Sequence, residues 1–417
     1  MQVGELASSI SETHTLGKEK LVFLNTSDIL HGKFLHRTYS AVKGWPGQAK
    51  KSIRKGDILF SEIRPANGRW AYVDEDADDF VVSTKLMVIR ANQTHIFPKF
   101  LYQYLTSSEV TTWLQHLAES RSGTFPQITF DQVATLELPL PPLTKQVAIA
   151  SVIGMLDDKI ELNRRMNATL EAMTRALFQS WFVDFDPVKA KRDGRVPHGM
   201  DAEMAQAWPD SFQESALGAI PVGWRASRLD EIAGVQMGLS PKGDTYNSSG
   251  VGKPLINGPV EFGEYFPAKT KWTEAGTRFS SEHDLIFCVR GSTTGRRVVA
   301  DAEYALGRGV CAIRARSNFH SFLYKSIEYN LQRLLEKTTG SVFPSLSAPD
   351  IKGFAVLTPD LRIVEHFEKV SRPLVARIQQ NYRESTTLSE LRDTLLPKLL
   401  SGELRVPASV AHIEATL

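Results

Sequence analysis

Residues able to do chemistry fall into a few groups. Cys288 stands five residues after His283 in a stretch of β-type composition. A cysteine beside a histidine can form a thiolate nucleophile. Cysteine is also among the most buried residue types, and neighbours on one strand rarely meet in catalytic geometry, so packing is the expected role. A second group is Arg290-Gly291-Ser292-Thr293-Thr294-Gly295-Arg296-Arg297, which follows that strand. Backbone N–H groups, hydroxyls and arginine are the usual phosphate contacts, and arginine is the usual reader of guanine. Arg64-Pro65-Ala66-Asn67-Gly68-Arg69-Trp70 has similar chemistry, with Asn67 and Arg69 suited to base edges. A third group pairs Ser122-Gly123-Thr124-Phe125-Pro126 with Thr339-Gly340-Ser341-Val342-Phe343-Pro344. Gly123, Thr124, Gly340 and Ser341 allow close backbone approach to phosphate. Phe125 and Phe343 are expected to plug the core, as large apolar side chains do.

Other chemistries lack their residues. Ser249-Gly250-Val251-Gly252-Lys253-Pro254 comes nearest to a phosphate loop. It has Asn247 where the first glycine is needed and Pro254 where Ser or Thr is needed. The sequence contains no H-E-x-x-H, and its two cysteines, Cys288 and Cys311, offer neither a disulfide framework nor a cysteine zinc site. The formal net charge of +2 over 417 residues excludes a uniformly basic nucleic-acid binder, so a basic surface must be local. Residues 1–142 carry 15 Lys+Arg and 15 Asp+Glu, net 0; residues 222–358 carry 17 and 13, net +4. No run approaches the ~18–20 apolar residues of a membrane helix. The first residues lack a signal-peptide layout. A soluble cytoplasmic protein that binds rather than catalyses is the expectation.

The candidate loops recur because the chain is written twice. Asp57-Ile58-Leu59-Phe60 answers Asp284-Leu285-Ile286-Phe287, and Gly68-Arg69 answers Gly295-Arg296. Val88-Ile89-Arg90 resembles Ala312-Ile313-Arg314, Phe100-Leu101-Tyr102 repeats as Phe322-Leu323-Tyr324, and Gly123–Pro126 answers Gly340–Pro344. The offset shrinks steadily from 227 to about 218, as small loop deletions in the second copy would produce. Such a period marks a duplicated domain rather than a solenoid of short repeats.

Each copy ends in a long helical pattern. The first follows Leu138-Pro139-Leu140-Pro141-Pro142, has Thr144 as a potential N-cap and runs to about Phe182. Leu156, Ile160, Leu170 and Leu177 lie on one apolar stripe, interrupted by Asn163 and Asn167, and a helix of this length would span ~57 Å. The second runs from about Arg362 to Leu400, with Ile378, Asn381, Leu388 and Leu395 at offset 218; Pro373 is expected to kink or break it. Matching stripes suggest an antiparallel coiled coil. Within the domains, Asp57–Ser61, Val81–Ile89, Asp284–Val289 and Val310–Arg314 read as strands, and Phe97–Leu117 and Phe319–Leu335 as helices. The fold class is α+β: two tandem domains separated by two long helices. The expected boundaries are 1–142 and 222–359 for the domains, 143–183 and 360–404 for the helices, 184–221 for an irregular linker with a short helix near Glu203–Trp208, and 405–417 for a tail.

Leu156-Asp157-Asp158-Lys159-Ile160-Glu161-Leu162-Asn163, Leu177-Phe178-Gln179-Ser180-Trp181-Phe182 and Leu395-Leu396-Pro397-Lys398-Leu399-Leu400-Ser401-Gly402 resemble the DNA-specificity subunits of type I restriction–modification systems, as do Gly56-Asp57-Ile58-Leu59 and Ile220-Pro221-Val222-Gly223-Trp224. The resemblance covers nearly the whole chain. It implies two target-recognition domains, each reading half of a split, asymmetric target on double-stranded DNA, and an antiparallel coiled coil that spaces them. It implies two adenine-methylating modification subunits and restriction subunits as partners. S-adenosylmethionine, ATP and Mg²⁺ would belong to those partners and none to this chain. Arg64, Asn67, Gly68, Arg69, Gly123, Thr124, Arg290, Ser292, Thr293, Thr294, Arg296, Arg297, Gly340 and Ser341 are the DNA contacts expected from loop chemistry and repeat symmetry. The helix stripes would be the docking surface. The alternatives are a coiled-coil scaffold without DNA binding and a Cys288/His283 enzyme. Because the repeat is effectively circular, the N-terminal edge of the first domain is expected to be completed by the C-terminal tail.

Overall fold

The computed structural model describes residues 1–121, 126–197, 199–200, 202–338 and 344–406. The chain divides into two compact units, residues 1–162 with 384–417, and residues 163–383.

In the first unit, β1 (Ala7–Ile10), β2 (Ile58–Ser61), β3 (Trp70–Tyr72) and β4 (Leu86–Ala91) form an antiparallel sheet ordered β1-β4-β2-β3. Alternate side chains point to opposite faces of a strand. Ile58, Phe60, Met87 and Ile89 therefore pack against the helix Pro98–Leu105, while Leu59, Leu86 and Val88 face a second sheet. That second sheet contains a parallel pair, Lys20–Leu24 with Phe80–Ser83.

The second unit repeats the plan. β5 (Ala233–Met237), β6 (Leu285–Cys288), β7 (Arg297–Val299) and β8 (Val310–Ala315) are ordered β5-β8-β6-β7. Leu285, Phe287, Cys311 and Ile313 face one core, and Ile286, Cys288, Val310 and Ala312 the other. Its second sheet again holds one parallel pair, Lys253–Ile256 with Ala305–Leu306.

The long helices span Leu143–Phe182 and Leu361–Ser401. Each unit takes the start of one and the end of the other. Ile149 and Ile153 join Leu396 and Leu399 in the first core; Ile363 and Phe367 join Phe178 and Trp181 in the second. Phe178 and Leu396 are equivalent at the repeat offset, as are Trp181 and Leu399, so the repeat closes on itself. Pairing is antiparallel within each unit: Arg392 meets Asp157 at 3.0 Å and Glu384 meets Lys159 at 3.3 Å in the first; Asn381 donates to Asn167 at 2.8 Å and Phe367 packs on Phe178 at 6.0 Å in the second.

Several expectations need correction. The second long helix runs through Pro373, because Pro373 and Lys369, whose carbonyl loses its helical partner, are both exposed and water can satisfy that carbonyl. The expected strand Val81–Ile89 is two strands in different sheets, split by a turn at Thr84-Lys85. The expected domain helices each break once, after Leu105 and after Tyr329. The linker adds a helix, Asp186–Arg192, and a hairpin, Phe212–Ser215 with Gly218–Pro221, to the short helix Ala202–Ala207. At the first domain's N-terminal edge the segment before the first long helix pairs with the first residues, the Val3 amide donating to the Leu136 carbonyl and the Leu138 amide to that of Met1, and Val406 of the tail packs against the same core. Residues 407–417 of the tail lie outside the described residues.

Candidate nucleic-acid interface

Both candidate loops leave the end of a central strand and return to an edge strand. The central strand that leads into each loop is pinned at its opposite end by the same ion pair. Arg90 on β4 grips Asp57 with two bonds, 2.7 and 2.8 Å; Arg314 on β8 grips Asp284 with two bonds of 2.8 Å. The carboxylates are buried and each also accepts a backbone N–H, from Arg54 or Ser281. Such charge-assisted, bidentate bonds fix orientation as well as energy. They hold both arginine guanidiniums above their ordinary value. Sequence reasoning missed this pair, although all four residues lie in the matched repeat segments.

In the first unit the loop rises from β2 through Arg64, in left-handed geometry (φ 45°), into a 3-10 turn at Pro65–Asn67. The Ala66 amide donates to Gln115 Oε1 at 3.1 Å, which props the turn on the helix Ser108–Arg121. Arg64 and Asn67 are exposed. Gly68 is buried with φ +68°, and a Cβ there would collide with the His31 ring. Arg69 donates from Nη1 to the carbonyls of Ser27 and Ile29, 2.8 and 3.0 Å, and so ties the loop to the domain.

In the second unit Arg290 and Ser292 are exposed at the loop tip, and Arg296 is exposed on its return. Thr294 turns inward: its hydroxyl donates to the carbonyls of Gly291 and Pro344. The Thr293 hydroxyl lies 3.7 Å from Cys288 Sγ. Arg297 is partly buried, and burial holds its guanidinium below its ordinary value. Arg296 and Arg297 also line a cavity of about 390 Å³ with Glu171, Thr174, Val375 and Ile378 of the long helices.

The structure joins the second loop pair to the first. The Arg64 amide donates to the Pro126 carbonyl at 3.1 Å, and the Gly291 amide to that of Pro344 at 2.9 Å. Antiparallel bridges Ile63–Gln127 and Arg290–Ser345 occupy equivalent positions. Gly123, Thr124, Phe125, Gly340, Ser341 and Phe343 lie outside the described residues.

On the helices, Asn163, Ile378 and Asn381 are buried, whereas Leu156, Ile160, Leu170, Leu177, Leu388 and Leu395 are only half-buried. Cys288 is buried and its thiol donates to the Arg290 carbonyl at 3.4 Å. The His283 ring lies instead beside that of His320, centroids 5.1 Å apart. Among the described residues, no three His, Cys, Asp or Glu side chains gather as a metal cluster, and no helix is long and apolar enough to cross a membrane.

Two copies of one mixed domain, each with its loop pair at the same sheet edge and each braced by both long helices, define a class that comparison with known proteins identifies. Residues 3–172 and 221–383 match the type I restriction modification DNA specificity domain. The chain belongs to this family of type I restriction–modification specificity subunits. It is 34% identical to the type I restriction enzyme HindI specificity subunit of Haemophilus influenzae, over 96% of this chain and 98% of that protein. It is 25% identical to the MjaIX specificity subunit of Methanocaldococcus jannaschii, over 75% and 70%. The crystal structure of a type I restriction–modification S subunit from M. genitalium shares the fold, with a TM-score of 0.54 and 16% identity, covering 96% of this chain and 95% of that one.

Proposed function

We propose that this chain is the non-catalytic, sequence-reading subunit of its complex. It binds double-stranded DNA at a bipartite, asymmetric site, one half-site per domain. The observation that carries this reading is a repeated scaffold with unlike loops. The same loop pair meets at the same sheet edge in both units, yet Arg64 and Asn67 are displayed in one and Arg290, Ser292 and Arg296 in the other. Equivalent surfaces with different donors suit two different base sequences.

The helices, of 40 and 41 residues, would each extend ~60 Å. That exceeds the ~34 Å between half-sites one DNA turn apart, so they can act as the spacer. Two adenine-methylating modification subunits dock on the helical segments and bring S-adenosylmethionine. Restriction subunits bring ATP and Mg²⁺. The assembly works in the cytoplasm.

A methylated-adenine map of the host genome, with and without the gene, tests this. One split motif disappears on deletion, and Arg290→Ala or Arg296→Ala relaxes only one of its halves. An unchanged map, or equal relaxation of both halves, would reject the reading.

A further inference from the structure

Beside each candidate loop lies a turn that carries one exposed cation. In the second unit the turn is Gly307-Arg308-Gly309, leading into β8. It is held on every side. The Gly307 amide donates to the Ile256 carbonyl, the Arg308 amide to the Ser240 hydroxyl, and the Gly309 carbonyl accepts from the Val289 amide, next to Arg290. Neither glycine tolerates a Cβ, because Asn257 is packed against both. Arg308 is thus presented from a rigid backbone. Its side chain is exposed and makes no ion pair among the described residues.

The first unit has the same construction with other residues. Thr84-Lys85 leads into β4; the Lys85 carbonyl accepts from the Glu62 amide, the Thr84 amide donates to the Gln48 carbonyl, and the Lys85 amide to the Ser83 hydroxyl. Lys85 is exposed. Leu86 pairs with Ser61 and Val310 with Cys288, so the turns match and the two cations fall within one residue of equivalence.

The repeat separates two kinds of contact. Features that differ between the domains can read what differs between half-sites, the bases. A cation presented at the same place in both suits what both half-sites share, the sugar–phosphate backbone. Phosphate contacts position a protein without carrying sequence information. We infer that Lys85 and Arg308 are paired phosphate clamps, one per half-site, which seat each domain on the duplex backbone. The inference rests on the DNA-reading function proposed above and adds residues that loop chemistry did not single out.

The test uses the full chain assembled with its modification subunits, and two duplexes of equal length: one with the mapped methylation motif, one with it scrambled. Arg308→Ala and Lys85→Ala are each expected to weaken both duplexes by the same factor. Each should make log K against log salt shallower by about 0.9, the release of one counterion set. Arg308→Lys, which keeps the charge, should retain the slope. The methylated motif should be unchanged in the genome of cells carrying each variant. A loss confined to the matched duplex, or one degenerate base in the motif, would overturn the inference in favour of base reading. An assembled variant with unchanged affinity and slope would also overturn it. Failure of the wild-type complex to bind either duplex would instead remove the function on which it rests.

Discussion

Where the first domain meets its helices, the rings of Tyr72 and Tyr102 lie 5.6 Å apart, and ion pairs Lys33–Glu161 and Asp157–Arg392 cross from domain to helix and from helix to helix. At the equivalent place in the second unit Val299 stands for Tyr72 and Tyr324 for Tyr102, and both line the cavity of about 390 Å³. The caps differ as well. Gln146, from the start of the first long helix, accepts the Phe97 amide at 2.8 Å; Glu368, from the start of the second, accepts that of Phe322 at 2.8 Å. A seam filled by rings and ion pairs and a roomier one capped by a carboxylate thus serve the same architecture. The second is compensated by rings: Phe178, Trp181, Phe182, Trp224, Phe322 and Phe367 form one aromatic cluster. A duplicated scaffold can keep its topology while each copy solves its packing separately.

The comparison can be broken most strongly at equivalent helix positions. Phe178→Ala should cost the second unit about 3–5 kcal/mol and Leu396→Ala the first about 2–4, by transfer and cavity terms. Hydrogen exchange resolved by unit reads this; loss of protection in the wrong unit would sink it. Next come the ion pairs at the start of the central strands. Arg90→Ala leaves the buried Asp57 charge without its partner and should cost about 2–4 kcal/mol. Arg314→Ala should cost less than half of that, because the Arg314 side chain is 49% exposed against 22% for Arg90 and solvent already screens its pair. Equal shifts in denaturation midpoint would contradict the difference.

A smaller effect sharpens the seam itself. Tyr72→Val should open a void and cost roughly 1–3 kcal/mol. Val299→Tyr has room to enter and should stay within about 1 kcal/mol of the parent. A clear loss in thermal unfolding for Val299→Tyr would show that the cavity wall cannot accept a ring. The smallest effect concerns Glu368. Burial pushes its carboxyl above the ordinary 4.5, although the Phe322 amide opposes this. The folded state then binds the proton more tightly than the unfolded one, so the stability is fully present below pH 4.5 and is lost as pH rises through the raised value. Glu368→Gln keeps the acceptor and removes the charge. It should gain up to about 1 kcal/mol at neutral pH and nothing below pH 4.5. A gain that persists in acid would point to packing instead.

Much of this plan was legible in one dimension. The stripe from Leu156 to Leu177 and its echo from Ile378 to Leu395 announced two long paired helices, because a helix repeats its face every three to four residues whatever surrounds it. Offsets between Asp57 and Asp284, or Gly68 and Gly295, exposed the duplication and placed the loops. Pro373 misled, because the effect of a helical proline depends on whether the freed carbonyl faces water. The run Val81–Ile89 misled because composition marks strand character and not the sheet to which a strand belongs.

Local periodicity and repetition, which depend only on covalent order, therefore determined the element types, the two-domain plan and the candidate loops. Tertiary structure decided the partners: Asp57 with Arg90, Asp284 with Arg314, Arg69 with the carbonyls of Ser27 and Ile29, and Phe178 with the ring of Phe322, far along the chain. Burial and hydrogen bonding act between groups close in space, so which arginine faces solvent and which is spent on the fold is settled only when the sheets close.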